Sequence, residues 1–269
     1  VLGYPGSIGE RVDDVCVVEA RAHVVPRDRH PLEELLHVLA VHDLSLAPHA
    51  PAGRAQGARW IYRRRVSNAD DLDAHWDAAY SRGDAATSWY EPHPSMSLRM
   101  LDTAGVGPDA SVVDIGGGAS RLAATLLERG HGDVTVLDLS TVALDSSRRG
   151  DRAELTRWVR GDVRGWRPER SFDVWHDRAV LHFLTTETDQ ARYRETLRAA
   201  TAPGSIAVIA TFAPDGPQQC SGLPVSRYTG EQIGGLLGPD WILVAETRDE
   251  HITPAGVMQP FTWVALRRN

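Results

Sequence analysis

Residues Val112-Val113-Asp114-Ile115-Gly116-Gly117-Gly118-Ala119-Ser120-Arg121-Leu122 constrain this chain more than any other stretch, because they write a buried strand, a glycine turn and a helix start in that order. Glycine has no Cβ, so such a turn takes up positive φ and lets the backbone come within contact distance of a ligand. The helix that follows turns its first N–H groups toward the same place. A strand entering a turn of this kind belongs to an open α/β sheet with its ligand at the carboxyl edge, and a nucleotide-like cofactor is the first expectation.

The details of the turn decide which cofactor fits. A pyrophosphate-binding turn reads G-x-G-x-x-G, and after Gly116 and Gly118 the third glycine position is Arg121. In place of that glycine there are acids. Asp114 lies two residues before Gly116, and Asp138 ends the next apolar run, Val134-Thr135-Val136-Leu137-Asp138-Leu139. At the carboxyl edge of a parallel sheet the second carboxylate is placed to accept both hydroxyls of a ribose, and the first to meet the ammonium of an amino-acid moiety. S-adenosylmethionine carries both groups and no phosphate.

Two further segments suit the same ligand. Val159-Arg160-Gly161-Asp162-Val163 closes a short strand with an acid for the adenine amino group, and Ser171-Phe172-Asp173-Val174-Trp175-His176-Asp177-Arg178 runs into a polar loop where the reacting centre is expected. From about Asp71 to Arg268 the chain resembles a class I S-adenosylmethionine-dependent methyltransferase. The resemblance makes Asp114-Ile115-Gly116-Gly117-Gly118 the glycine motif, Asp138 with Leu139 the ribose contact and Gly161-Asp162-Val163 the adenine motif. Expected cofactor contacts are therefore Asp114, Gly116, Gly118, Asp138, Leu139, Asp162 and Val163, with S-adenosylhomocysteine as product and no metal.

The fold this implies is a doubly wound, seven-stranded, mostly parallel sheet with an antiparallel last strand. The pattern after Ser67 agrees: helices over 70–81 and 95–103, then strand 111–116, helix 119–129, strand 134–139, helix 141–149 and strand 156–161. Strand 171–176, helix 187–200, strand 205–212, helix 230–237 and two runs at 241–246 and 259–267 follow. Thr229 with Gln232 is a capping-box start for the last helix. The two final runs have no helix between them and should pair antiparallel.

Residues 1–66 read as an extension with a helical and irregular character, and 67–269 as the methyltransferase-like domain. Pro31 at a first helical position, Glu33 and Glu34 in the first turn, and Leu32, Leu35, Leu36 and Leu39 make one amphipathic helix there; Pro48 to Gly57 reads as linker. The chain starts at Val1, as a fragment or a chain with a mis-assigned start does. Its 269 residues, 42% of them hydrophobic, suffice for one full-sized core with an appendage, and the formal charge of −7 argues against nucleic acid or an anionic membrane as partner. All 29 basic residues are arginine. Cys16 and Cys220 stand too far apart for a disulfide or metal framework, no apolar run reaches membrane-spanning length and no secretory leader pattern is present, so a cytoplasmic location is expected.

Methyl transfer from a sulfonium is an in-line displacement that neutralises the donor's charge, so alignment in a dry pocket provides much of the rate, roughly 7–11 kcal/mol in favourable cases. A base matters only for an acceptor that arrives protonated. Asp177 and His182 are the candidates for that role, with Arg178 beside them for substrate, in the loop where members of the family place substrate-contacting groups. Trp89 and Tyr90, in Ser88-Trp89-Tyr90-Glu91-Pro92-His93-Pro94-Ser95, suit a lid that lines the acceptor pocket. His93 has no partner for a metal site. Cys220 reads as a loop cysteine, while His251 and Gln259 sit where a hairpin would hold them. The acceptor is read as a small molecule with a nucleophilic nitrogen, oxygen or sulfur; a protein lysine, aminopropyl transfer and a non-catalytic cofactor-binding module are the competing readings.

Overall fold

The computed structural model describes residues 69–83, 87–150 and 152–269. The extension, its amphipathic helix, Cys16 and the boundary at 66/67 lie outside the described residues. Two helices come first, α1 (Ala69–Tyr80) and α2 (Ser95–Thr103), then the alternation β1 (Val112–Ile115), α3 (Leu122–Glu128), β2 (Val134–Asp138), α4 (Thr141–Ser147), β3 (Thr156–Arg160), β4 (Phe172–Arg178), α5 (Glu187–Ala199) and β5 (Thr201–Phe212). After α6 (Gly230–Leu237) the chain ends in a long hairpin, β6 (Trp241–Ile252) and β7 (Met258–Arg268).

The seven strands lie in the order β3-β2-β1-β4-β5-β7-β6. Strands β1 to β5 pair parallel, and β7 enters antiparallel between β5 and β6, as the missing helix between the last two runs requires. Both faces of the sheet are covered. Val112, Val134, Val136, Val174, Val208 and Phe212 pack on one side against Met100 of α2, Leu122 and Leu126 of α3 and Leu144 of α4. Val113, Ile115, Leu137, Trp175 and Ile209 pack on the other against Tyr193 and Leu197 of α5 and Ile233 of α6. Burial on two faces is why β1 and β2 read as near-continuous apolar runs rather than alternating ones.

Two strands run well past the carboxyl ends their sequence pattern suggests. β4 continues to Arg178, so Asp177 and Arg178 stand on the strand end and not in the loop after it. β6 continues through the charged stretch Glu246–Glu250 to Ile252, because β7 supplies a ladder partner that outweighs the low strand propensity of those residues. Chain direction reverses its winding between β1 and β4, so the crevice at their carboxyl ends is the topological switch point of the sheet.

The start of α6 is held by a full capping box: the Gln232 N–H donates to Thr229 Oγ1 at 3.2 Å, and the Thr229 N–H donates to Gln232 Oε1 at 2.8 Å. Thr229→Ala should cost about 1 kcal/mol in denaturant unfolding with an unchanged slope. A loss below a tenth of that would show the cap to be unimportant.

Candidate active site

The glycine turn leaves β1 with Gly116 at φ 66°, where any side chain is strained and a Cβ would lie 2.2 Å from Val180 Cγ2. At Gly117 the constraint is space: a Cβ would lie 2.3 Å from Asp114 Oδ2. Gly118 turns the other way, toward the end of β2, and hydrogen-bonds Asp138. The turn therefore brings two acids onto opposite sides of one loop of backbone.

Asp114 is 2% exposed. Its Oδ1 lies 2.7 Å from His176 Nδ1 on the neighbouring strand, and its Oδ2 has no hydrogen-bond partner. His176 Nε2 is in turn 2.9 Å from Ser97 Oγ of α2. Asp114, His176 and Ser97 all border a cavity that also takes in Gly116, Gly117, Ala119 and Ser120 of the turn.

The cavity's other wall comes from α1, the 87–94 segment and the end of β4: Tyr80, Trp89, Tyr90, Glu91 and Arg178. Trp89 Nε1–H donates to Tyr80 Oη at 3.2 Å, and Trp89 meets Trp76 edge-on, whose ring meets Phe183 the same way. The segment is clamped from beneath. Arg178 donates to the Trp89 carbonyl at 2.9 Å and to Glu91 Oε1 at 2.7 Å, while His251 Nδ1 lies 3.3 Å from Glu91 Oε1 and its Nε2–H donates to the Ser88 carbonyl at 2.8 Å. Burial works to raise the Glu91 carboxyl, but His251 and Arg178 outweigh it and hold the group below its ordinary range.

Asp138 lies outside that cavity's lining, on the α4 side of the turn. It accepts the Ser140 N–H at 2.7 Å, and Ser140 caps α4 while donating its hydroxyl to Asp77 of α1 at 2.7 Å. Burial, with Asp114 and Asp77 nearby, pushes the Asp138 pKa up to about 7 against the bonds from Ser140 and Gly118. Leu139 beside it is half-buried and Val163 is buried. Asp162 is already engaged: Arg164 Nε contacts both its oxygens, at 2.9 and 3.0 Å, and Arg164 also reaches Asp189 of α5.

Trp89, Tyr90 and Arg178, the residues expected at the acceptor, line the cavity. Asp177 does not. It is fully buried, accepting the N–H groups of Val180 at 2.8 Å and Leu181 at 3.1 Å and the Tyr193 hydroxyl at 2.7 Å. Burial pushes its pKa up to about 6 in spite of those bonds. Between Asp177 and Val180 sits Ala179 at φ 72°, a costly conformation for a residue with a Cβ. Alternation along β4 sends Asp177 to the α5 face and His176 to the α2 face, so the neighbour of the expected acid is the residue at the cavity.

His182 is likewise fully buried, 4.4 Å from the Phe183 ring and 4.8 Å from Phe212, with neither nitrogen hydrogen-bonded among the described residues. Burial and then Arg178 push its pKa down to about 3, which makes it neutral and a weak base near pH 7. Cys220 is buried against the core and its thiol pushed up to about 11 by burial, so it is a neutral thiol. His93 is exposed, and no group of three or more His, Cys, Asp or Glu suited to a metal occurs among the described residues. No helix among them is long and apolar enough to cross a membrane.

Residues 112–204 match the family model described as a methyltransferase domain. The matched span runs from the start of β1, through the glycine turn, to the start of β5. Over that span the chain is similar to methyltransferase domains. A curated relative is the ubiquinone/menaquinone biosynthesis C-methyltransferase of Ruegeria sp. (strain TM1040), 30% identical over 135 residues that make up 47% of each chain, so this chain spans about half the length of that relative. Among solved structures, the 1,6-didemethyltoxoflavin-N1-methyltransferase of Burkholderia thailandensis, bound to 1,6-didemethyltoxoflavin and S-adenosylhomocysteine, is similar at TM-score 0.58 and 22% identity, over 82% of this chain and 94% of the other. A methyltransferase of Anabaena variabilis reaches TM-score 0.60 at 14% identity, over 75% and 95%. The methyltransferase fold thus holds across the domain with few side chains shared.

Two outcomes follow from the buried acids. Asp177→Ala leaves two backbone donors and the Tyr193 hydroxyl without their acceptor, and should cost about 3 kcal/mol of unfolding free energy or more. For Asp138 the folded pKa stands above the unfolded one, so its contribution to stability is complete below about pH 4 and is lost as the pH rises through about 7. Asp138→Asn, neutral at every pH, should therefore gain on the ligand-free wild type by about 2–3 kcal/mol between pH 5 and pH 8 in paired melts. A constant gap across that range would show that Asp138 titrates normally.

Proposed function

We propose that this chain transfers a methyl group from S-adenosylmethionine to a nucleophilic nitrogen, oxygen or sulfur of a small molecule. The observation that carries the reading is the Asp114 carboxylate: a buried acid with one oxygen unpartnered, at a cavity floored by a glycine turn whose central position has no room for a Cβ. A buried charged acceptor left unmet is costly, and a ligand ammonium is the donor that fits it. Asp138 stands across the same turn at the end of β2, where a ribose diol would reach it. Acids in place of a third glycine suit this cofactor better than a dinucleotide.

When bound, S-adenosylmethionine supplies an electrophilic methyl on a sulfonium. In our reading Asp114 holds the ammonium end, Gly116 and Gly118 shape the backbone around the chain of the donor, and Asp138 with Leu139 holds the ribose. Val163 walls the adenine, and Asp162 offers an acceptor whose charge Arg164 already balances. Trp89, Tyr90 and Tyr80 keep water from the reacting centre, where exclusion of solvent strengthens the attraction between a cationic donor and its nucleophile. Arg178, with Glu91 and His251, holds that wall closed. Asp177 and His182 support it from behind: Asp177 fixes the loop that presses Val180 onto the glycine turn, and His182 fills space between Phe183 and Phe212.

Arg178 faces the cavity with its charge met by Glu91, which disfavours an anionic acceptor and leaves neutral or amine-bearing ones. The named relatives methylate carbon and nitrogen, so both atoms belong in an acceptor screen.

Calorimetric titration with S-adenosylmethionine, S-adenosylhomocysteine and NADH tests the cofactor assignment. Binding of the first two and not the third is the expected result, and Asp138→Ala should weaken it by about 1–3 kcal/mol. Binding of NADH alone would refute the assignment. Labelled methyl transfer to small amines, phenols and carbon nucleophiles supports the enzyme; transfer only to lysine peptides moves the acceptor to protein, and tight binding without any transfer would make the chain a cofactor sensor.

A further inference from the structure

We infer that His176 is a positioning residue for the amino-acid end of the cofactor, acting entirely through Asp114; the inference rests on the cofactor reading above. Three observations on one line of atoms carry it. Asp114 and His176 are direct cross-strand partners of β1 and β4, and the His176 ring contact at 2.7 Å is the hydrogen bond that fixes the Asp114 carboxylate. The far nitrogen of the ring is itself fixed, 2.9 Å from Ser97 Oγ on α2. All three residues are no more than 2% exposed and border one cavity, and Asp114 Oδ2 is buried there without a hydrogen-bond partner.

The chemistry of this relay is specific. For the ring to be neutral and both contacts to be hydrogen bonds, Nδ1–H donates to Asp114 Oδ1 and Nε2 accepts the Ser97 hydroxyl proton. In that arrangement one oxygen is spent on orientation, so the other is held in a single direction. An acid on a strand end with neither oxygen anchored would divide its time among rotamers, and the ammonium would have to organise it on binding. Orientation of a ligand-holding group by a second side chain follows the same physics as the carboxylate and carbonyl partners that aim metal-binding histidines. Nothing in the wall opposite does this: Arg178 and Glu91 are committed to each other and to the 87–94 segment.

The claim is that His176 affects one end of the ligand only, and truncation of the ligand exposes this. S-adenosylhomocysteine carries the amino-acid moiety, whereas 5′-methylthioadenosine has the adenine, ribose and sulfur without it. Calorimetry with both, on wild type, His176→Phe, Asp114→Asn and the double variant, is the test. The expected result is a loss of about tenfold or more for S-adenosylhomocysteine in His176→Phe, with 5′-methylthioadenosine held within about twofold. Asp114→Asn with His176→Phe should then bind S-adenosylhomocysteine within about twofold of Asp114→Asn alone, since the two residues act as one unit. His176→Asn, whose amide retains a donor near the Nδ1 position, should recover part of the loss, and should His176→Phe fail to fold, His176→Leu takes its place as the variant that cannot serve Asp114. Equal losses for both ligands, no loss for either, or additive effects of the two substitutions would overturn the inference. Failure of the wild type to bind either nucleoside would instead overturn the cofactor reading beneath it.

Discussion

Three carboxylates taken out of water at the carboxyl edge of one sheet set the terms for everything around them. Asp138, Asp114 and Asp177 stand on adjacent strands β2, β1 and β4, each at most 7% exposed. Burying three acids side by side is unfavourable unless each is met, and the structure meets each with a different device. Asp177 is met by backbone N–H groups and a tyrosine, Asp138 by the N-cap residue of α4 and the glycine turn, and Asp114 by a single imidazole that leaves an oxygen over. The local architecture of the site follows from these three solutions.

The Asp177 solution holds a strained corner. Its carboxylate gathers the N–H groups on the far side of Ala179, so the positive φ there is sustained by bonds in the interior. That corner carries Val180, which occupies the space where a side chain at Gly116 would go. A buried acid outside the cavity lining thus shapes the glycine turn that borders the cavity. Tyr193 extends the chain to Trp175 Nε1, 2.9 Å away, and so ties the corner to the α5 layer.

The covering segment depends on a second kind of pairing. Residues 87–94 have little regular structure of their own, and what places them is the end of β4 through Arg178 and the end of β6 through His251, meeting at Glu91. The pairs are mostly shielded from solvent, so they are less screened than surface ion pairs and hold a geometry as well as a charge balance. The extension of β6 beyond its apolar start has its consequence here, because a shorter strand would leave His251 short of Glu91 and Ser88.

The sequence by itself determined the order of strands and helices, the antiparallel ending, the turn of glycines and the two acids flanking it, since each is a local property: period, cap, or a residue type only one conformation favours. It also placed Trp89, Tyr90 and Arg178 near the right edge of the sheet. What only the tertiary structure decided is which side chain of a run faces which layer and what it meets there. His176 and Asp177 are neighbours in sequence with nearly equal claims to a chemical role, yet the extra residues in β4 turn one to the cavity and the other to the core. Ser97 with His176, and Glu91 with His251, are pairs made by strand register and helix docking over long separations, and no periodicity in either segment announces its partner.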